Sequence, residues 1–541
     1  MSAEQTKKGL NKKLIMALTV LVILVISVTA YAVLRTGDPM TMYMKAQKNT
    51  MDEQFERMDQ YAGDYLALSD RLAKEANEST GTLTMDMRVS GDSMQMVPEL
   101  AMAQGILSSS ELEVNRKLNP ETKEMAAALD LKVQGTSVGN VELYQNEDQA
   151  ALHAPFVYDK YFAMANDDYG EFLEQSGQPV NGVTELPNIA ELMQSQLTYE
   201  ESKELLEDYM VTLGKELNED QFSLTENAEF DGENYDKVTI EISEEEAQQM
   251  LVTLLEKMKE DEAILGLLET QTLMQQDNES AMIKIEDEID KTINDVENLK
   301  LPEGITIEAY LKDDLVAHQI WTMNLQPEGE EKVMIEITSS YLKEDEDTYK
   351  NTVDVNIQPE SKKDSFTINY VEEGKPNDNG LHVNYTIGFA GDMEGDSFNG
   401  ELVLNTDYVD NGSETAFTLN IEEPNENNEE GMMLFPDVSG FLNTTMTEEE
   451  DNKVNQVTEI GIESSAENPE VGTAGMNFEF NYDQDITFTD DLSFPSLSED
   501  ETIQAMEMTD EEWEKISMEI QANFEKHMMS IMGNFGGMGG F

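Results

Sequence analysis

The chain has 541 residues, enough for more than one domain and a sizeable core, and at 39% hydrophobic and 7% aromatic it has the composition of a folded protein. It carries 112 Asp and Glu against 34 Lys and Arg, a formal net charge of -78, and its five arginines all fall at or before Arg116; such a surface repels nucleic acid, whose phosphates need Lys and Arg. Cysteine is absent, which excludes disulfides, thiol catalysis, Cys-ligated zinc and an acylated-cysteine anchor.

Residues 1–13 form a basic tail with Lys7, Lys8, Lys12 and Lys13 against Glu4. Leu14–Leu34 is an uncharged apolar run, about 31 Å long as a helix and close to a bilayer core of about 30 Å. It predicts a single transmembrane helix with the N-terminus in the cytoplasm and the acidic body outside. Ala30-Tyr31-Ala32 offers a second reading, a signal peptide cleaved near Ala32 and a secreted body. Residues 35–80 read as a membrane-proximal helix, with Met51, Phe55, Met58, Tyr61, Tyr65 and Leu68 on one face.

Residues 81–300 read as a first strand-plus-helix module. Leu83, Met85, Met87 and Val89 alternate with polar residues, as do Leu129, Leu131 and Val133, then Val141 and Leu143. Ala151–Val157 reads as a further strand, with Pro155 placing it at an edge or bulge. Thr198 with Glu201 and Ser243 with Glu246 make capping boxes, and Asp231-Gly232 turns a hairpin between those helices. The helix after Ser243 carries Ala247, Met250, Leu251, Leu254, Leu255 and Met258 on one stripe.

Residues 301–532 read as a second strand-rich module with a C-terminal helix from about Thr509, and 533–541 as a flexible tail. Seven alternating sets lie between Ile305 and Tyr482, and the acidic stretch 422–452 reads as a loop. Pro187 and Pro495 each precede a short helical piece and a Thr-x-Glu-Glu capping box, a pattern either of duplicated modules or of two unrelated amphipathic helices. The fold class that follows is α+β: one N-terminal transmembrane helix, then curved antiparallel sheets packed by amphipathic helices in two related modules.

No motif supports catalysis. Gly135-Thr136-Ser137-Val138-Gly139 has the spacing of a nucleophile elbow but lies between two strands, where that chemistry needs a strand-to-helix turn. His153, His318, His382 and His527 are too scattered for a zinc motif, no phosphate-binding loop is present, and no acidic run has EF-hand spacing. The chain therefore reads as a non-enzyme without a cofactor or metal. Methionine, at 34 residues, reads either as ordinary gap filling in the core or as the lining of a pliable apolar cavity. Its expected lining is Met85, Met87, Phe156, Tyr158, Met250, Leu254 and Met258.

The order "ELYQNEDQAALHAPFVYDKYFAMANDDYG", then "YMVTLGKEL", then "VTIEISEEEAQQMLVTLLEKM" resembles uncharacterised membrane-anchored extracytoplasmic proteins of Gram-positive bacteria. In layout it is distantly similar to the LolA/LprG-like lipoprotein carriers, mainly over residues 80–270. That resemblance implies a curved antiparallel sheet holding helices over an apolar cavity. The lipidated cysteine of LprG-like members is absent, and the second strand region has no counterpart among them.

Together these readings predict a non-catalytic, membrane-anchored envelope protein that binds a lipid or other apolar ligand between sheet and helices. The alternative is a structural or interaction protein with a packed core and an acidic surface, its protein partners unnamed. The acidity fits either an aggregation-resistant exterior or exposure to high salt or alkaline pH. If salt is the setting, the unfolding midpoint of residues 37–541 rises from low to high salt; a midpoint that does not rise removes that version.

Overall fold

The computed structural model describes residues 38–90, 104–176, 184–261, 263–266, 285–326, 331–345, 348–361, 365–378, 380–393, 396–409, 411–422, 437–450, 452–468, 472–498 and 500–536. A long helix, α1 (Pro39–Lys74), comes first, followed by strands β1 (Asn77–Ser90), β2 (Ser110–Asn119), β3 (Glu124–Val133), β4 (Thr136–Gln145), β5 (Gln149–His153) and β6 (Tyr161–Ala165). Helices α2 (Tyr169–Gln175), α3 (Ile189–Gln194) and α4 (Tyr199–Glu216) precede the hairpin β7 (Phe222–Phe230) and β8 (Glu233–Ile242). Helices α5 (Glu244–Glu260) and α6 (Ile285–Glu297) follow it.

Next come β9 (Ile305–Lys312), β10 (Leu315–Leu325), β11 (Val333–Lys343), β12 (Tyr349–Pro359), β13 (Phe366–Asn377) and β14 (Gly380–Met393). They continue into β15 (Asp396–Val409), β16 (Gly412–Glu422), β17 (Asp437–Glu450), β18 (Lys453–Asn468) and β19 (Gly472–Phe488). A short β20 (Thr502–Gln504) and a last helix, α7 (Asp510–Gly536), end the described chain.

Local chemistry explains many of the boundaries. Asp38 caps α1 by accepting from Thr41 N at 2.9 Å, and Pro39 opens the helix, where a missing N–H costs nothing. The capping boxes of α4 and α5 form as their sequences predict, at Thr198/Glu201 and Ser243/Glu246. Asp231 and Gly232 both take positive φ at the β7–β8 turn, the backbone that a tight hairpin needs.

The strands pair into one sheet of 20. From one edge the order is β20, β6, β5, β4, β3, β2, β1, then β19 back in descending order to β9, β8 and β7. Every pairing is antiparallel except β20 with β6. Among the described residues no pairing joins the β7 edge to the β20 edge.

This corrects the expected α+β fold of two related sheet modules. Two contacts make the sheet single. β1 pairs with β19 along its whole length, from Asn77↔Phe488 to Ser90↔Gly475. The β7–β8 hairpin, which the sequence sets among helices, pairs through β8 onto β9. The stretch 422–452 is likewise no simple loop: Asp437–Glu450 is a strand, because Val438, Leu442 and Met446 alternate to one side ahead of its acidic end. The expected strand Ala151–Val157 stops at His153, and Val157 N and Tyr158 N turn back to Ala154 O across Pro155.

The transmembrane segment at 14–34 lies outside the described residues. Among the described residues no helix is long and apolar enough to cross a membrane, which leaves strands untouched as a question. The single-pass anchor, the membrane partner it implied and the localisation drawn from it are withdrawn.

Residues directly opposite in an antiparallel pair share a face, and here one face is apolar from strand to strand. One row runs Phe222, Ile240, Ile307, Trp321, Ile337, Val355, Ile368 and Phe389. Farther along, Leu442, Ile460, Phe480 and Met85 continue the same face. Over β7–β12, helices α4, α5 and α6 and the start of α1 cover it, making the main core with Tyr43, Leu213, Leu254 and Trp321 all nearly inaccessible. Farther along the cover thins: Ile421, Leu442 and Leu131 are more than one-third exposed. Helix α7 covers β4–β6, with Trp513 stacked on Phe162 at 6.3 Å and Asn523 Nδ2 donating to Val157 O at 2.9 Å.

This difference in cover has a measurable consequence. Leu254→Ala in the main core should cost about 2–5 kcal/mol of unfolding free energy, and Leu131→Ala, 41% exposed, less than about 1 kcal/mol. Urea unfolding of the two variants checks the ranking; equal losses would contradict it.

Candidate functional site

Helix α1 is 36 residues long, about 54 Å, and it crosses the apolar face. Near its start, the buried Tyr43 hydroxyl accepts from Gln47 at 2.9 Å and from Gln319 of β10 at 3.0 Å. Near its end, Leu68 packs with Met446, Val454, Ile486 and Phe488, and Arg71 lies 3.8 Å over the Phe488 ring. Between these contacts the helix stands over β11–β15, and a cleft of about 490 Å³ opens beneath it.

Tyrosines dominate the sheet side of this cleft. Tyr341, Asn351, Glu372 and Tyr385 form a polar row across β11, β12, β13 and β14, each directly opposite the next. Beside it, Tyr349 lies against Gly374, where a Cβ would come within 2.1 Å of the ring. Only glycine lets the ring lie so close to the strand. Tyr370 and Tyr408 complete the aromatic wall, while Met51, Phe55 and Met58 of α1 face it.

The polar atoms are linked. Glu372 accepts from the Tyr349 hydroxyl at 2.6 Å, the Tyr370 hydroxyl at 3.0 Å and Asn351 Nδ2 at 3.4 Å. The Tyr385 and Tyr408 hydroxyls are 3.1 Å apart. On α1, Arg57 donates to the Tyr341 hydroxyl at 3.0 Å and pairs with Glu53 at 3.3 Å, its guanidinium 3.8 Å from the Tyr349 ring centre. Lys343 also reaches Glu53, at 2.5 Å.

Burial, and then the nearby charge of Glu372, pushes the Tyr349 and Tyr370 hydroxyls well above the usual phenol range. Burial does the same to Tyr341, and to Tyr385 with Tyr408 beside it. On the other flank of α1 a wider recess of about 1300 Å³ shares Arg57, Tyr61 and Tyr341 with the cleft. Its lining has eight carboxylates to four basic side chains.

The cavity residues expected from the sequence do not meet in one place. Met250, Leu254 and Met258 lie together on α5, at most 5% exposed and packed into the main core. That packing corrects the lipid-carrier expectation, since side chains fill the space beneath α5. Met85 and Met87 lie on β1 opposite Phe480 and Phe478. Phe156 and Tyr158 lie at the other end of the sheet, beside His527 and Phe162 respectively.

The motif readings fare differently. Ser137 sits just after the β3–β4 turn, where Gln134 and Gly135 take positive φ, and its hydroxyl donates to Asp130 at 2.6 Å. His153 Nδ1 is 3.0 Å from Glu142 Oε2, which also accepts from the Tyr161 hydroxyl. His318 is held between Ser340 and Tyr235, and burial lowers its pKa. Among the described residues no group of acidic or histidine side chains is placed to hold a metal ion. The cleft tyrosines were missed. Their signal was one tyrosine on each of five successive strands, β11 to β15 (Tyr341, Tyr349, Tyr370, Tyr385, Tyr408).

No family model matches the sequence, and no curated protein does. Among solved structures it is similar to the CymD monoaromatic hydrocarbon channel, at 7% identity over 81% of this chain and 94% of that one, with a TM-score of 0.17. It is similar also to OccK2 (OpdF) of Pseudomonas aeruginosa, at 5% identity over 77% and 98%, TM-score 0.18. A third is the TodX monoaromatic hydrocarbon channel deltaS2 mutant, at 6% identity over 77% and 90%, TM-score 0.17. At such scores the likeness carries no argument about closure, location or cargo. With a single sheet of 20 strands, the expected kinship with LolA/LprG-like carriers and Gram-positive anchored proteins is set aside.

The raised tyrosine pKa values give a pH dependence. A phenol held neutral by the fold contributes stability that is whole below its unfolded pKa of about 10 and is lost as pH rises beyond it. Unfolding midpoints should therefore fall above about pH 10. Tyr385→Phe, which cannot ionise, should flatten that fall; an unchanged slope would show that Tyr385 is not held neutral.

Proposed function

We propose that this is a non-catalytic binding protein whose ligand, a small amphipathic organic molecule, sits in the tyrosine-lined cleft between α1 and strands β11–β15. The observation that carries this reading is the cleft itself. Its volume of about 490 Å³ falls within the range of about 300–1,000 Å³ usual for small-molecule sites. Its walls pair aromatic and methionine side chains with a few converging polar groups, Glu372 and the hydroxyls of Tyr349, Tyr370 and Tyr385. Ring faces supply apolar contact and hydroxyls fix orientation, the usual division of labour in such sites.

Ala62 of α1 lines the cleft, so Ala62→Trp would fill it while leaving the helix-forming backbone intact. Wild-type protein should bind the neutral fluorescent amphiphile N-phenyl-1-naphthylamine saturably, with one site per chain. Ala62→Trp should lose at least about tenfold in affinity, roughly 1.4 kcal/mol. Equal binding by both forms would place the probe elsewhere and remove this reading.

A further inference from the structure

The cleft's charge arrangement points to one class of ligand. Glu372 is held among the tyrosine rings by three neutral donors, the Tyr349 and Tyr370 hydroxyls and the Asn351 amide. Those bonds solvate the carboxylate without cancelling its charge. Arg57, the one cation among the described residues lining the cleft, pairs with Glu53 on α1, as Lys343 does. An aromatic wall with an anionic floor is the setting in which an organic cation is held by ring faces and charge together.

The protein already contains one such contact. The Arg57 guanidinium stacks on Tyr349 at 3.8 Å, the distance of a close cation–π pair. Tyr370, Tyr385 and Tyr408 line the remainder of the cleft. The two tyrosines beside Glu372 are protonated at neutral pH, as phenols are, and both hydroxyls donate to the carboxylate rather than compete with it as anions. Outside, the adjoining recess has twice as many carboxylates as basic side chains, and the chain as a whole carries -78. A field of that sign concentrates cations and turns anions away.

We propose that the cleft selects an organic ammonium ion, its cationic end seated on the rings of Tyr370 and Tyr385 above Glu372 and its apolar body against Met51 and Met58. Glu372 is the specificity-determining residue, and α1 closes the seat. This rests on the cleft being a binding site at all, and the test separates the two claims.

The probes are choline and its neutral isostere 3,3-dimethylbutan-1-ol, which share shape and differ in charge. Binding to the purified full-length chain is measured by ligand-detected NMR, in competition with N-phenyl-1-naphthylamine. Choline should bind about tenfold more tightly than the isostere. Glu372→Gln keeps one acceptor oxygen for the tyrosines and removes the charge, so it should bring the ratio of choline to isostere affinity to about one, a ratio that a general weakening of the cleft would leave unchanged. Tyr385→Leu should weaken choline more than the isostere.

Equal affinity for the two probes would overturn the proposal and leave the binding cleft standing. So would a preference that survives in Glu372→Gln. Failure of choline to displace a naphthylamine that does bind would overturn it as well. Failure of naphthylamine to bind in a manner sensitive to Ala62→Trp would remove the cleft as a site altogether.

Discussion

A sheet with one apolar face must cover that face, and here a single helix spans most of the distance. Helix α1 lies in the main core at Tyr43 and Met44, rides over β11–β15 at Arg57, and reaches β17–β19 at Leu68. Two of the chain's five arginines hold it down, Arg57 on Tyr349 and Arg71 on Phe488. A guanidinium on a ring face keeps its charge and its apolar contact at once. In so acidic a chain, that pairs a scarce cation with a surface on which it does not need to be fully dehydrated.

The cleft follows from the same constraint. At the ends of α1, Tyr43 and Met44 are buried in the main core and Leu68 packs with Met446, Val454, Ile486 and Phe488. In the middle the sheet offers tyrosines, Asn351 and Glu372 instead, and a wall with hydroxyls and a carboxylate cannot close down on Met51 and Met58 without stranding polar groups. The polar row ties itself together through Tyr349, Tyr370 and Glu372 and meets the helix through Arg57 and Glu53, with the cleft beside that contact. The recess and the site have one cause.

Periodicity made much of the local structure legible. The stripe of α5, the boxes at Thr198 and Ser243, the strand alternation at Leu83–Val89 and the turn at Asp231-Gly232 are all where the sequence puts them. What did not show was who pairs with whom. The pairing of β1 with β19 joins residues about 400 apart, and nothing in the alternation of either strand names the other. Strands such as β15 and β18, diluted by Asn, Glu and Gly, also lack the apolar alternation that marks β9 or β14. The Met-rich cavity was inferred from composition, yet Met250 and Met258 serve as core filling. The cleft tyrosines escaped because a residue's face is visible in sequence, while its neighbours across four strands depend on register.

The β1–β19 seam also orders events in time. Every other neighbouring antiparallel pair joins strands consecutive in the chain, so those pairs, most of them hairpins, can form as the chain appears. The seam cannot begin until Gly475 exists or finish until Phe488 does, and it must close a loop of about 385 residues, an entropic cost that grows only slowly with length but delays the encounter. Until then two growing ribbons each carry an unpaired edge, one ending in β1 and the other in β19. The far end of α1 finds Phe488 only when they meet. In this protein, docking of the helix over its full length and joining of the ribbons are one late step.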